Sequence, residues 1–350
     1  MKTVFTKNIL QEMAGLNLPT VVRDKMSPAE MRSEMRKTIQ EEYMGIFPDR
    51  SDVSVTMKIT EKKEGVYGGK ASETFAEVTV AGSKNQSHTF PIKITLPKGE
   101  KIPVLLYLMY HLNQIGCGEE LVDNGFGLVQ MNYADVEPDD VKENFTGFAG
   151  LMPEKSDSRW GKIACWAFAA SCIMDVLHEI PEIDCSRVAV TGHSRLGMTA
   201  LLAGAMDERF ALVAPVHSGA LHRGTKAESF QDLSREYTKY WFGSGLFKRY
   251  KEAQELPFDN HFLIALCAPR RVYISGATED LWCDPYSLIL SGTAASPAWE
   301  AYGEQGLILP EEIRPNTLYA DGKIAYYLRT GTHYFGRDDL LQIMKLMKNE

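Results

Sequence analysis

An α/β protein built on a doubly wound, mostly parallel sheet in a three-layer α/β/α sandwich is what this sequence predicts, with antiparallel strands on its N-terminal side. Three observations predict it. Near-continuous apolar runs recur at Pro103 to Tyr110, Phe126 to Met131, Arg187 to Thr191, Leu212 to Val216, Val272 to Ser275 and Ile324 to Leu328. Runs apolar on both faces belong to sheets covered on both sides. The segments between them are long enough for crossover helices, of which Trp160 to Ile180 is the clearest.

The N-terminal third reads differently. Ser27-Pro28-Ala29-Glu30 is a capping box with proline at the first helical position, and Met31, Met35 and Ile39 then share one face through about Met44, so a first helix is expected there. Period-two stretches follow at Val53 to Ile59, Val78 to Val80 and Phe90 to Ile94, parted by Gly68-Gly69 and the polar turn from Gly82 to Ser87. They predict antiparallel edge strands. Residues 1–100 would thus be an N-terminal helix and strands on the catalytic core at 101–350, the whole forming one domain.

The chain has 350 residues and a formal net charge of −8, from 46 acidic and 38 basic residues. That balance disfavours a nucleic-acid or anionic-membrane partner, because like charges repel. Small-molecule or oligosaccharide substrates fit that balance better, and the oligomeric state is left open. No stretch has the length and apolarity of a signal peptide or a membrane span, so a cytoplasmic protein is expected. The six cysteines lie in largely apolar segments and read as core thiols. No Cys or His pair has zinc-site spacing, so neither a metal nor a cofactor is expected.

Gly192-His193-Ser194-Arg195-Leu196-Gly197 carries the chemistry. It lies where a buried strand gives way to an apolar helix, the place at which a sharp turn lifts a serine above a sheet edge. Ser194 is therefore the candidate nucleophile. The second glycine falls one residue later than in the usual G-x-S-x-G pattern. An ordinary glycine-bearing turn is the competing reading.

A serine needs a base, and the base needs an orienting carboxylate. In the α/β-hydrolase fold the chain order is serine, acid, histidine, each past a strand end. Glu279-Asp280 follows one strand, and His333 follows the last; it is the only histidine after Asp280. Asp280 ranks first as the acid because of its shorter side chain beside the Cys283-Asp284-Pro285 turn, with Glu279 as the alternative. His333 could instead be a structural loop histidine. For the oxyanion, the backbone N–H of Arg195 offers one donor, and the loop after Tyr110, at His111 and Leu112, should offer a second. The Arg195 guanidinium could add to them, or could be a structural ion pair.

From about Met31 onward the chain resembles the glucuronoyl esterases, in the form of a divergent bacterial member. The resemblance rests on Val188 to Gly197, Asp207 to Leu212, Pro257 to His261, Ala268-Pro269-Arg270 and Glu279 to Pro285. It implies the α/β-hydrolase fold, hydrolysis of a carbohydrate ester, Ser194 as nucleophile, His333 as base and Arg195 as an oxyanion contributor. The family's G-x-S-R-x-G motif accounts for the displaced glycine. It also implies an acid at Asp280, as in some bacterial members, because His217 stands where fungal members carry a glutamate. Met198 replaces a lysine that contacts the uronate sugar, and Ala220 to Arg223 replaces a glycine-rich stretch. Trp282 matches a tryptophan lining the sugar site, and Trp241 falls near another aromatic segment. Met198, His217, Trp241 and Trp282 are thus the expected substrate-contacting positions. A sugar acetyl esterase of the same fold, or a non-catalytic carbohydrate-binding homologue, are the alternatives.

Overall fold

The computed structural model describes residues 4–82, 86–111, 117–140, 145–151, 159–224, 230–234 and 238–348. Ten strands form one sheet: β1 (Val53–Gly65), β2 (Ala71–Gly82), β3 (Ser87–Pro97), β4 (Ile102–Met109), β5 (Gly127–Asn132), β6 (Ile183–His193), β7 (Leu212–Val216), β8 (Arg271–Ala277), β9 (Thr317–Tyr319) and β10 (Ile324–Arg329). Their spatial order is β9-β10-β8-β7-β6-β4-β5-β3-β2-β1. The run β10-β8-β7-β6-β4-β5 is parallel, and β1 to β3 close one side as antiparallel strands. Helices of ten residues or more are α1 (Thr6–Gly15), α2 (Pro28–Thr38), α3 (Lys162–Val176), α4 (Arg195–Met206), α5 (Pro285–Ala295) and α6 (Arg337–Met347).

Strand β4 shows why a parallel strand here must be apolar throughout. Val104, Leu106 and Leu108 enter the core beneath α3 and α4, while Leu105, Tyr107 and Met109 enter a second core beneath α6. Successive side chains face opposite layers, and both layers are dry. On the antiparallel side this alternation weakens with distance from the centre, and from Ile59 to Gly65 strand β1 is wholly exposed. That stretch carries Glu61, Lys62, Lys63 and Glu64, paired as Lys62 to Glu64 at 3.0 Å and Lys63 to Glu61 at 3.5 Å.

The capping box forms as expected, the Ser27 side chain accepting from the Glu30 N–H and the Glu30 carboxylate from the Ser27 N–H. Helix α2 then widens into a π-type turn over Ile39–Met44. It is not the first helix: α1 precedes it and buries only Ile9, too little apolar surface to leave a clear pattern. The helix expected over Trp160 to Ile180 begins two residues later, after Gly161, whose backbone is extended (φ −79°, ψ 166°) and pressed against Trp241, where a Cβ would meet the Trp241 carbonyl oxygen at 2.1 Å. It ends in a single 3-10 turn at Leu177–Glu179. The three-residue strand β9 is too short for any periodicity to announce it. All six cysteines are free.

The chain runs β4 to β5 on one side of β4 and then returns to β6 on the other. Such a reversal of strand order opens a crevice at the carboxyl ends of the flanking strands, which is where ligands bind in open α/β sheets. Tyr110 follows β4 there, and Ser194 follows β6.

The displaced glycine has a steric origin. A Cβ on Gly192 would lie 2.3 Å from the Leu196 carbonyl oxygen, and one on Gly197 would lie 2.8 Å from the Val216 carbonyl oxygen and 2.9 Å from Ser218 Cβ. Both positions are forced by backbone contact. We expect Gly197→Ala to cost about 1 to 3 kcal/mol in urea denaturation, whereas Gly15→Ala, with nothing within 4 Å of its Cβ, should be neutral or slightly stabilising.

Candidate active site

Ser194 sits between β6 and α4 at φ 59°, ψ −127°, a conformation that costs free energy for any residue with a side chain. Its N–H donates to the Val216 carbonyl (3.0 Å) and its carbonyl accepts from the Met198 N–H (3.0 Å). These contacts hold the strained residue in place. Arg195 opens the helix, so its N–H has no intrahelical acceptor and belongs to the positive end of the helix dipole.

Across the crevice lies a hydrogen-bonded set of three side chains and one backbone N–H. His333 Nδ1 donates to Asp280 Oδ2 at 2.7 Å, and His217 Nδ1 reaches the same oxygen at 2.8 Å. The Cys283 N–H donates to Asp280 Oδ1 at 3.1 Å. Asp280 is 2 % exposed, while its neighbour Glu279 is exposed. The imidazole of His333 packs on that of His193, the residue before the serine, with ring centroids 4.3 Å apart. No hydrogen bond links the Ser194 hydroxyl to His333 among the described residues. The Tyr110 hydroxyl, which donates to the His193 carbonyl at 3.1 Å, lies within reach of the Ser194 side chain.

Electrostatics follow from this packing. Burial alone would raise the Asp280 carboxyl, but hydrogen bonds from His217 and His333, the His333 charge and the Cys283 N–H together hold it well below the usual carboxylate range. His193 is pushed down to about 3, first by burial and then by the neighbouring His333 and His217. It therefore stays neutral beside Ser194.

Arg195 is confined rather than extended into solvent. Its Nε lies 3.1 Å from Asp139 Oδ2, and its guanidinium carbon lies 5.1 Å from the Tyr110 ring, 5.9 Å from Tyr133 and 5.2 Å from Trp241. Asp139 Oδ1 accepts from Trp241 Nε1 at 2.9 Å. The turn carrying Asp139 is in turn fixed by the buried Lys162, whose ammonium donates to the Pro138 carbonyl and to Asp140. Sequence reading missed Asp139 and Lys162, because a carboxylate in an irregular loop and a lone lysine at a helix start give no pattern.

The cleft at this site holds about 600 Å³ including its open mouth, and Ser194, Met198, His217, Trp241 and Trp282 all line it. Trp282 is 56 % exposed at the rim, while Trp241 and Met198 are buried in its wall. His217, also an expected substrate contact, borders the cleft without solvent exposure, and both of its ring nitrogens face protein groups, Asp280 and Arg329. His111 is exposed just past β4, and Leu112 lies outside the described residues. His193, His217 and His333 bring ring nitrogens within 4.8 Å of one another. The Arg329 guanidinium at His217 Nε2 opposes a cation in that cluster.

A family model described as glucuronyl esterase, fungi, matches residues 78–303. The chain belongs to the glucuronoyl esterase family. Carbohydrate esterase MZ0003, from an unknown prokaryotic organism, is 38 % identical over 225 residues, 61 % of this chain and 51 % of that protein. The 4-O-methyl-glucuronoyl methylesterase of Hypocrea jecorina is 27 % identical over 299 residues, 80 % of this chain and 59 % of the relative. The chain thus spans little more than half the length of these curated relatives. A promiscuous CE15 esterase from a marine bacterial metagenome superposes with a TM-score of 0.84 at 27 % identity, covering 95 % of this chain and 96 % of that one. The glucuronoyl esterase of Solibacter usitatus gives 0.84 at 26 % identity, covering 95 % and 97 %. These likenesses establish the α/β-hydrolase fold.

Asp280, just after β8, carries a buried carboxylate. Being depressed, that carboxyl supports the fold in full above its unfolded value of about 4, and the contribution drains away as pH falls through the folded value. The stability gap between wild type and Asp280→Asn, read by urea denaturation, should narrow as pH falls below about 4.

Proposed function

We propose that this protein hydrolyses a carboxylic ester of a carbohydrate through a covalent acyl-enzyme, with Ser194 as nucleophile, His333 as base and Asp280 as the orienting acid. The observation that carries the reading is the 2.7 Å contact between His333 Nδ1 and a buried carboxylate, made beside a serine in a strained elbow. His333 Nε2 takes the hydroxyl proton as Oγ attacks the ester carbonyl, and Asp280 steadies the resulting imidazolium. The carbonyl electrons collect on an oxyanion, which the Arg195 N–H and its neighbouring guanidinium stabilise. The imidazolium then protonates the departing alcohol. Water, activated by the same imidazole, releases the acid. Hydrogen bonds of this kind are often long in an unliganded enzyme and tighten around substrate, which accommodates the open Ser194 to His333 gap.

The acyl group that family membership favours is a glucuronoyl residue on a xylan-derived or related oligosaccharide, with Trp282 available to stack on a sugar ring at the cleft mouth. A sugar acetyl ester is the second reading. Met198 favours it, because an apolar thioether in the cleft wall cannot donate a hydrogen bond to a uronate hydroxyl.

Ser194→Ala should lower turnover of any accepted ester by about 1,000-fold or more in a chromogenic acetyl-ester assay; retained turnover would remove the hydrolase reading. Rates on methyl glucuronate, benzyl glucuronate and acetylated xylo-oligosaccharides separate the two acyl groups. Met198→Lys should raise kcat/KM on the uronates about tenfold if the pocket is otherwise of the glucuronoyl type, and unchanged kinetics on every uronate would exclude that pocket.

A further inference from the structure

His217 follows β7 at φ 53°, fully buried, in a left-handed conformation that a histidine adopts only when its surroundings demand it. Its N–H donates to the Ser275 carbonyl at 3.0 Å, and its carbonyl accepts from Cys283 Sγ at 2.9 Å. The side chain meets Asp280 after β8, His333 after β10, His193 at the end of β6 and Arg329 at the end of β10. Asp280 and Arg329 decide what the ring can do. The Asp280 carboxylate, 2.8 Å from Nδ1, only accepts, and Arg329 Nη2, whose two hydrogens go to the Thr332 and Tyr334 carbonyls, lies 3.4 Å from Nε2 and opposes a proton there by its charge. The ring proton therefore sits on Nδ1, aimed at Asp280 Oδ2.

That oxygen already accepts from His333 Nδ1. Two imidazole N–H groups converge on one carboxylate oxygen, while the Cys283 N–H holds the other. We propose that His217 is a positioning residue of the esterase: a second histidine, its ring proton held on Nδ1, that fixes the Asp280 carboxylate so that His333 keeps its aim at Ser194. This rests on the hydrolase reading above and adds to it a role for the position where fungal members carry an acid. With two donors on it, Asp280 shares its charge between them. Removing the His217 donor leaves that charge to His333 alone, so the imidazolium formed during turnover is held more tightly.

The test compares His217→Leu, His217→Asn and His217→Gln with wild type and Ser194→Ala on a chromogenic acetyl ester across pH. Asn places an amide N–H near the Nδ1 position and Gln near Nε2. We expect His217→Leu to lower kcat about tenfold or more with KM changed less than about threefold, and to move the acid limb of kcat/KM upward by about half a pH unit or more. Asn should restore the limb and most of kcat, and Gln should not. Asn also suits a left-handed backbone, so the limb is the deciding quantity, because backbone strain does not move it. A wild-type limb in His217→Leu overturns the proposal. Should that variant fail to fold, identical limbs for Asn and Gln overturn it equally. Nitrogen-15 spectra of wild-type enzyme supply a readout without any variant at this position: a His217 proton on Nε2 rather than Nδ1 defeats the proposal. Turnover surviving in Ser194→Ala would instead defeat the hydrolase reading, so the two failures are distinct.

Discussion

A buried arginine at the end of the last parallel strand organises the loops that carry Asp280 and His333, the proposed acid and base. Arg329 is 1 % exposed, and a guanidinium removed from water must find acceptors for its donors. It finds them in the chain that follows: Nη1 donates to the Thr330 carbonyl, and Nη2 to the Thr332 and Tyr334 carbonyls. The loop carrying His333 is therefore wrapped around its own root, with accepting carbonyls on both sides of the histidine. Gly331, at φ +116°, makes the bend possible, since a Cβ there would approach Arg329 Nη1 to 3.0 Å. The Tyr334 ring covers the guanidinium at 3.7 Å, and Asp339, itself buried and bonded to the Tyr273 hydroxyl, offers a carboxylate 3.5 Å from Nε.

The acid loop is fastened to the same scaffold. The Thr278 N–H donates to the Arg329 carbonyl and the Glu279 N–H to the Gly331 carbonyl, so two backbone bonds set the distance between the acid loop and the base loop before any side chain is considered. Within that frame Asp280 is the residue turned inward and Glu279 the one turned out. Ser194 is fixed independently, by the elbow and its two close-packed glycines. Two rigid pieces of the same sheet thus face each other across the strand-order reversal, which is how an open α/β sheet precisely aligns groups far apart in sequence while leaving a crevice between them.

Much of this was legible beforehand. Doubly buried strands write themselves as unbroken apolar runs, which is why the parallel set and its order of chemistry-bearing loops could be read from Val104, Val190 or Ile274 and their neighbours. The elbow announced itself through glycines whose spacing backbone contact dictates. What could not be read were roles that exist only in three dimensions. Nothing about Asp139 in the loop before α3, Lys162 at a helix start or Arg329 in a strand distinguishes them from surface charges until burial is known. His217 was singled out because it stands where fungal members carry a glutamate; its bonding to Asp280 and Arg329 depends on residues arriving from two other strands. Helix α1, with one buried residue, and β9, with three residues in all, carry too little buried surface to leave a trace.

The charged outer stretch of β1 bears on how this molecule keeps company with others. An unpaired strand edge is a template on which any extended chain can add itself by backbone pairing. Here the last stretch of that edge is crowded with lysines and glutamates already matched to one another, so an incoming strand would have to break local ion pairs and strip water from both signs of charge. A ten-stranded sheet left open on this side is thereby given a terminus, and a protein with so much β-surface can be concentrated without growing by that half of its border.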